Sequence, residues 1–207
     1  MKHGLSYLVS YTLSKTMEAA AFLNDSDTSL SRELVSFDVP HRLIFSGIYE
    51  LPVGPGKPIF SHGIASHIIG GWQFSWIGTI QSGTPMSRPN YYIYGDPKLE
   101  SGQDLNHWFN TSKDIWVQPP TDTLRVTKLR SSSIRRYTMP QVDVTLVRDF
   151  QIREGHHFQF KVTGLNATNT PIFDFPNTTP TSQLFGVVPS TQINAPRTVE
   201  LGFRYAF

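Results

Sequence analysis

The chain closes on R-T-V-E-L-G-F-R-Y-A-F, Arg197 to Phe207, and no other stretch constrains the fold as strongly. Val199, Leu201, Phe203, Tyr205 and Phe207 share one face of an extended strand, and Thr198, Glu200, Gly202, Arg204 and Ala206 share the other. Alternation with a period of two specifies a strand with one apolar face. The termini of soluble domains commonly fray into polar residues. This run instead keeps its apolar face up to a final ring. The competing reading is an ordinary edge or closing strand of a soluble β domain, because alternation alone is generic.

The same pattern recurs in five earlier segments. They are Leu5 to Ser14, His41 to Leu51, Trp72 to Gln81, Gln141 to Phe150 and His157 to Asn166. Each spans about the 9–11 residues that a tilted strand needs to cross a bilayer, longer than the ~5–6 residues usual in soluble proteins. Leu43, Phe45, Gly47 and Tyr49 oppose Arg42, Ser46 and Glu50 in the second; Trp72, Phe74, Trp76 and Ile80 oppose Gln73, Ser75, Thr79 and Gln81 in the third. Val142, Val144 and Leu146 oppose Gln141, Asp143 and Thr145; Phe158, Phe160 and Val162 oppose Gln159, Lys161 and Thr163. Tyr91 to Tyr94 and Trp116-Val117 are weaker candidates for short strands.

Composition narrows the class. Aromatic residues make up 13% of the chain, with 15 Gly and 15 Pro, which suits strands joined by loops. No apolar run approaches the ~18 residues of a transmembrane helix. Lys2 followed by Leu5 to Leu13 and the Ala19-Ala20-Ala21 triplet has the outline of a leader. The interruptions at Ser6, Ser10 and Thr12 make the stretch a better strand. Cysteine is absent, so there is no disulfide framework, thiolate metal site or cysteine nucleophile. A net charge of +2 is too small to argue for nucleic acid.

Alternation cannot say which face turns outward. A membrane barrel puts apolar residues against lipid and polar ones in the lumen; a soluble sandwich does the reverse. Ring placement favours the barrel, since girdles of such residues mark the membrane interfaces. Tyr7, Tyr11, Tyr49, Trp72 and Trp76 are the interface candidates. The links add a second signal. They alternate between long (Lys15 to Pro40, Ser82 to Pro140, Ala167 to Pro196) and shorter (Pro52 to Gly71, Gln151 to His156). Barrels of the outer membrane pair short periplasmic turns with longer extracellular loops. The expected fold is therefore all-β, an antiparallel transmembrane β-barrel segment of about six long strands. Because barrels need at least about eight strands, and open edges in lipid cost several kcal/mol per unsatisfied group, the barrel is expected to be incomplete.

Ordered motifs carry a family resemblance. Y-T-L-S-K (Tyr11 to Lys15) is followed by D-V-P-H-R-L-I-F-S-G-I-Y-E-L-P-V-G (Asp38 to Gly54) and G-G-W-Q-F-S-W-I-G-T-I-Q-S-G-T-P (Gly70 to Pro85). V-D-V-T-L-V-R-D-F (Val142 to Phe150), F-Q-F-K-V-T-G-L-N-A-T-N-T-P-I-F (Phe158 to Phe173) and the terminal strand complete the set. The chain resembles the C-terminal third or so of the barrel of TonB-dependent outer-membrane transporters. Within them it resembles the Oar-like subgroup, which carries a carboxypeptidase-regulatory-like domain. It departs from the pattern at Arg135-Arg136-Tyr137-Thr138-Met139-Pro140, where a Gly-rich turn is usual, and at Gly164 and Ala167.

The resemblance implies energised uptake of a scarce ligand by the parent protein, with residues 1–207 as the C-terminal barrel portion and the plug and earlier strands outside it. It implies that Phe203, Tyr205 and Phe207 form the signal read by the barrel assembly machinery. The implied partners are outer-membrane lipid and lipopolysaccharide, that machinery, the rest of the barrel and the plug. TonB would be reached only through the N-terminal part. Two other readings stay open: a soluble carbohydrate-binding sandwich using Trp108 or Trp116, and a small complete barrel with two further strands within Ser82 to Pro140.

No catalytic chemistry, cofactor or metal is expected. His62 and His67 are wrongly spaced for one helical face, and His156 and His157 point to opposite faces of a strand. Asp25 and Asp27 lack the glycine and distal glutamate of a calcium loop. G-P-G-K-P lacks a phosphate loop's spacing, and nothing places Asp38, His41 and a serine together. The basic run Lys128, Arg130, Arg135 and Arg136 is expected to solvate a loop or to meet lipopolysaccharide phosphate.

Overall fold

The computed structural model describes residues 4–207, with the side chains of 65, 67 and 68 left aside. Lys2 and the His67 ring lie outside the described residues. Strand β1 (Leu5–Leu13) is followed in the first link by β2 (Met17–Glu18) and β3 (Glu33–Leu34). β4 (His41–Glu50) leads through a short helix α1 (Ile64–Ile69) to β5 (Trp72–Gln81). The longest link holds β6 (Pro85–Ser87), β7 (Tyr92–Ile93), β8 (Trp116–Val117) and β9 (Arg130–Arg135). β10 (Met139–Arg153), β11 (His156–Leu165) and β12 (Thr198–Ala206) follow.

The six long strands form one antiparallel sheet in the order β1-β4-β5-β10-β11-β12. Each expected long strand is present. β10 runs further than expected, to Arg153, so the link to β11 shrinks to Glu154 and Gly155, with Gly155 at φ 75. A bulge between Gln151 and Arg153 absorbs the extra length. β7 and β8 pair with each other, as do β6 and β9, but neither pair joins the main sheet. The weak candidates at Tyr91 to Tyr94 and Trp116-Val117 are thus real strands that do not lengthen the wall. An eight-stranded small barrel built from them is overturned.

Register makes each face continuous. One row crosses all six strands: Tyr7, Gly47, Trp76, Val144, Gly164 and Val199. Cross-strand partners point to the same side, so the apolar faces of all six strands merge into one surface. That surface has no second layer over it: Val199 is 63% and Phe203 67% exposed. A sandwich buries such a face against a second sheet, and none covers it here.

The buried hydrophobic residues lie elsewhere. Met86, Trp108, Phe109, Trp116, Ile134 and Val188 form the core cluster, and none belongs to the six long strands. The links 82–138 and 166–197 supply it. They fold at one end of the sheet, the loop end, together with the first link. The opposite, turn end carries the β10–β11 hairpin and the link 51–71. The P-V-G-P-G-K-P segment of that link, Pro52 to Pro58, is a compact knot. Gly54 packs against Gly70, where a Cβ on Gly70 would lie 2.4 Å from the Gly54 Cα. Backbone bonds from Ile59 to Pro52 and from Gly54 to Ile59 close it.

Candidate functional site

Three surfaces matter: the uncovered apolar face, the opposite face, and the folded loops.

On the apolar face, two glycines take rings from the neighbouring strand. Gly47 pairs with Trp76 and Gly78 with Phe45. A Cβ on Gly47 would sit 2.2 Å from the Trp76 ring, and one on Gly78 2.1 Å from the Phe45 ring. The rings therefore lie flat against the backbone, which holds register on a face without opposing protein. Tyr7 and Trp76 stand mid-strand. Tyr11 lies at the loop end, its hydroxyl 2.7 Å from His41 Nδ1, and Tyr49 and Trp72 lie toward the turn end. Around Phe203, Tyr205 and Phe207 the turn end is crowded with rings. Phe203 packs on Phe158 and Phe160, Tyr205 on Phe207 and His156. Tyr205 Oη is 2.5 Å from His156 Nδ1.

Sequence reasoning passed over Arg148 on this face. It falls in the row Trp72, Arg148, Phe160 and Phe203. It is buried, with its guanidinium 4.1 Å from the Phe150 ring centre and 5.9 Å from that of Trp72. Stacking on rings suits a guanidinium at an apolar boundary. Its even number within a strand whose other even residues are apolar was the available signal.

The opposite face is polar, with Arg42, Glu50, Gln73, Asp143, Lys161, Glu200 and Arg204, but not uniformly so. Ser46 pairs with Leu8 on one side and Ile77 on the other, and Ile44 and Ile48 flank it along β4. Four aliphatic side chains thus surround one serine. Leu8, Ile48 and Ile77 are exposed. Only register brings these residues together. At the turn end Glu50 pairs with Lys57 at 3.3 Å.

The loops are knitted by ion pairs and hydrogen bonds between links. Arg135 Nη2 meets Asp38 Oδ2 at 2.8 Å, and Arg130 Nη1 meets Glu18 Oε1 at 2.6 Å. Arg136 pairs with Asp174. Lys128 Nζ donates to the Arg32 carbonyl. The basic run, expected to solvate a loop, instead spends its charges on fastening the first and third links to the second. Buried Glu33 accepts the Leu129 N–H at 3.0 Å. Asn24 and Arg125 exchange two bonds, 2.7 Å and 3.0 Å. Burial pulls Arg125 and Arg88 below their usual pKa, opposed by the carboxylates of Glu33 and, for Arg88, Asp96. Asp27 accepts the Asn24 N–H and serves its own turn. His62 bonds Ser61.

Trp108 and Trp116 are not available for stacking on sugar. Both are buried, and their indole N–H groups donate to the Arg135 and Asn110 carbonyls. That removes the basis proposed for a carbohydrate-binding sandwich. Large rings in a long link look exposed in sequence because a link's own core is invisible there.

Asp174 allows a pH prediction. The Phe175 backbone N–H and the Arg136 side chain hold its carboxyl below the usual range. A folded pKa below the unfolded one adds stability that is present above about pH 4 and lost as pH falls through the folded value. Loop proteolysis should therefore rise on acidification below about pH 4. Asp174→Asn should already show raised cleavage at neutral pH and a flatter acid dependence. Equal acid profiles for the two proteins would contradict the assignment.

A single antiparallel sheet of long strands, one face apolar and uncovered, with its core displaced into loops at one end, defines the wall of a membrane β-barrel. The sheet is not closed: β1 and β12 are its edges. Residues 1–200 match the model of the outer membrane beta barrel domain. The chain belongs to this family, and it is a protein of the outer membrane. No curated protein and no solved structure matches it.

Proposed function

We propose that the chain forms the C-terminal wall and three extracellular loops of a TonB-dependent transporter of the Oar-like kind, taking up a scarce ligand. The turn end then faces the periplasm, with Phe207 at its rim and Phe203, Tyr205 and Phe207 presented to the assembly machinery. Tyr7, Tyr11, Tyr49, Trp72 and Trp76 contact lipid, and lipopolysaccharide surrounds the loop end. The chain acts as neither an enzyme nor a nucleic-acid binder. The edges of β1 and β12 are completed by further barrel strands, since unpaired backbone in lipid is costly. TonB is engaged only by the N-terminal part of the parent.

The observation that carries this reading is the aliphatic patch round Ser46 on the lumen-facing side. A water-filled pore gains nothing from Leu8, Ile44, Ile48 and Ile77 in contact with water. A packed plug covers them and gains roughly 25 cal/mol per Å² of apolar area removed from water. A photo-reactive residue at Ile77 in the assembled parent should cross-link to a plug, and the purified barrel should conduct no steady current. A large open channel in planar bilayers, with no cross-link, would defeat the proposal.

A further inference from the structure

A pocket of about 410 Å³ opens among the folded loops, at the foot of β9. Its size is within the range of small-ligand sites, ~300–1,000 Å³. Tyr137 forms one wall. Its ring is exposed on one side and backed on the other by the buried Trp108, with ring centres 5.4 Å apart. Phe173 meets Tyr137 edge-on at 6.3 Å. The tyrosine is therefore a fixed aromatic shelf, held by the core cluster, with one face free.

Polar groups converge on that shelf. Lys98, Gln103, Ser133, Arg135 and Arg136 line the same pocket. Arg135 is committed to Asp38 and Arg136 to Asp174. Among the described residues the Lys98 ammonium has no ion-pair partner. The Arg136 Nε–H is buried without a hydrogen-bond acceptor. Gln103 uses its amide N–H to hold the Trp108 carbonyl at 2.8 Å, which turns its oxygen into a spare acceptor. No carboxylate lines the pocket. Among the described residues its unspent groups are thus one cation, Lys98, and neutral hydrogen-bonding groups beside a flat apolar plane.

We infer that this pocket binds an acidic sugar, a carboxylate-bearing hexose unit of an oligosaccharide. The carboxylate meets Lys98, and the ring lies on Tyr137. Hydroxyls are served by Gln103 and Ser133. A charged hydrogen bond gives the anion its preference over a neutral sugar, and the shelf gives the ring its preference over a bare anion. This rests on the reading of the loops as an outward capture surface, but binding itself requires no energised transport.

The test is calorimetry on the complete barrel that contains this chain, extracted from outer membranes in detergent. The probes are trigalacturonate, neutral maltotriose and inorganic phosphate. Trigalacturonate should bind, and Lys98→Gln or Tyr137→Ala should each weaken it by about tenfold. Tyr137→Phe, which keeps the shelf, should bind like the parent and guards against simple misfolding. Equal binding of maltotriose and trigalacturonate would overturn the charge assignment. Equal competition by phosphate would reduce the site to a general anion site and overturn the sugar. Absence of trigalacturonate binding in a chain whose loops resist protease would also overturn it. Binding without TonB-dependent uptake in cells would leave this inference standing and refute the transport reading instead.

Discussion

Arg135→Ala is expected to loosen the loops by about 3–5 kcal/mol, the usual cost of stranding one partner of a buried ion pair. Asp38 is 1% exposed, and its carboxylate accepts from both Arg135 Nη2 and the Thr16 N–H, at 2.8 and 2.7 Å. Arg135 also reaches the carbonyls of Asp38 and Gly83. The pair therefore ties the base of the first link to the β9 ribbon and the end of β5. Without the guanidinium, a buried carboxylate keeps only backbone help. Protease should cut links 14–40 and 82–138 in the variant while heat-modifiable migration of the barrel persists. Asp38→Asn combined with Arg135→Ala should cost less than the two single changes added together, because no unpaired charge stays buried. Strict additivity would show that the pair contributes no coupling.

Phe109→Ala should cost a similar ~3–5 kcal/mol by a different mechanism, a cavity in a packed core. Phe109 is fully buried and touches Trp116 at 5.4 Å and Phe185 at 5.1 Å between ring centres. It joins the second and third links, so its loss should free both. The expected readout is rapid cleavage within 82–138 and 166–197, again with the strands intact. A matching change on the uncovered face, Leu201→Ala, should leave loop cleavage unaltered, because that side chain is 63% exposed on the sheet and does not belong to the loop core. Equal loop cleavage in both variants would argue that the loop core is not an independent unit.

Much of the wall was legible in sequence. Trp72 to Gln81 was recovered residue for residue, and the other long strands within a few residues, because period-2 alternation is a local property of a pleated strand. The start of β10 at Met139 and its end at Arg153 were missed at both ends. Met139 and Pro140 are held by pairing to Gln81 and Ile80, and Gln151 to Arg153 continue through a bulge, neither of which a face pattern reports. Tyr92-Ile93 and Trp116-Val117 read as faint strands, since two residues carry too little pattern to be more. Their pairing with each other depends on closing a loop of more than twenty residues.

The acidic-sugar pocket was beyond reach of the sequence. Lys98, Gln103, Arg136 and Tyr137 are scattered along a long link, with no fixed spacing between them. In sequence Trp108 and Trp116 look like exposed candidates for stacking, because a polar, Pro-containing link gives no hint of its own core.

By itself the sequence determined the six strands, which of their residues share a face, and the alternation of long and short links. Those follow from the geometry of one strand and need no partner. Tertiary structure alone decided that the apolar face goes uncovered while the core gathers in the loops. It also decided that the basic run fastens links together, and that four aliphatic residues meet round Ser46. Each of these is a relation between segments far apart in the chain, set by register and by which surfaces find something to pack against.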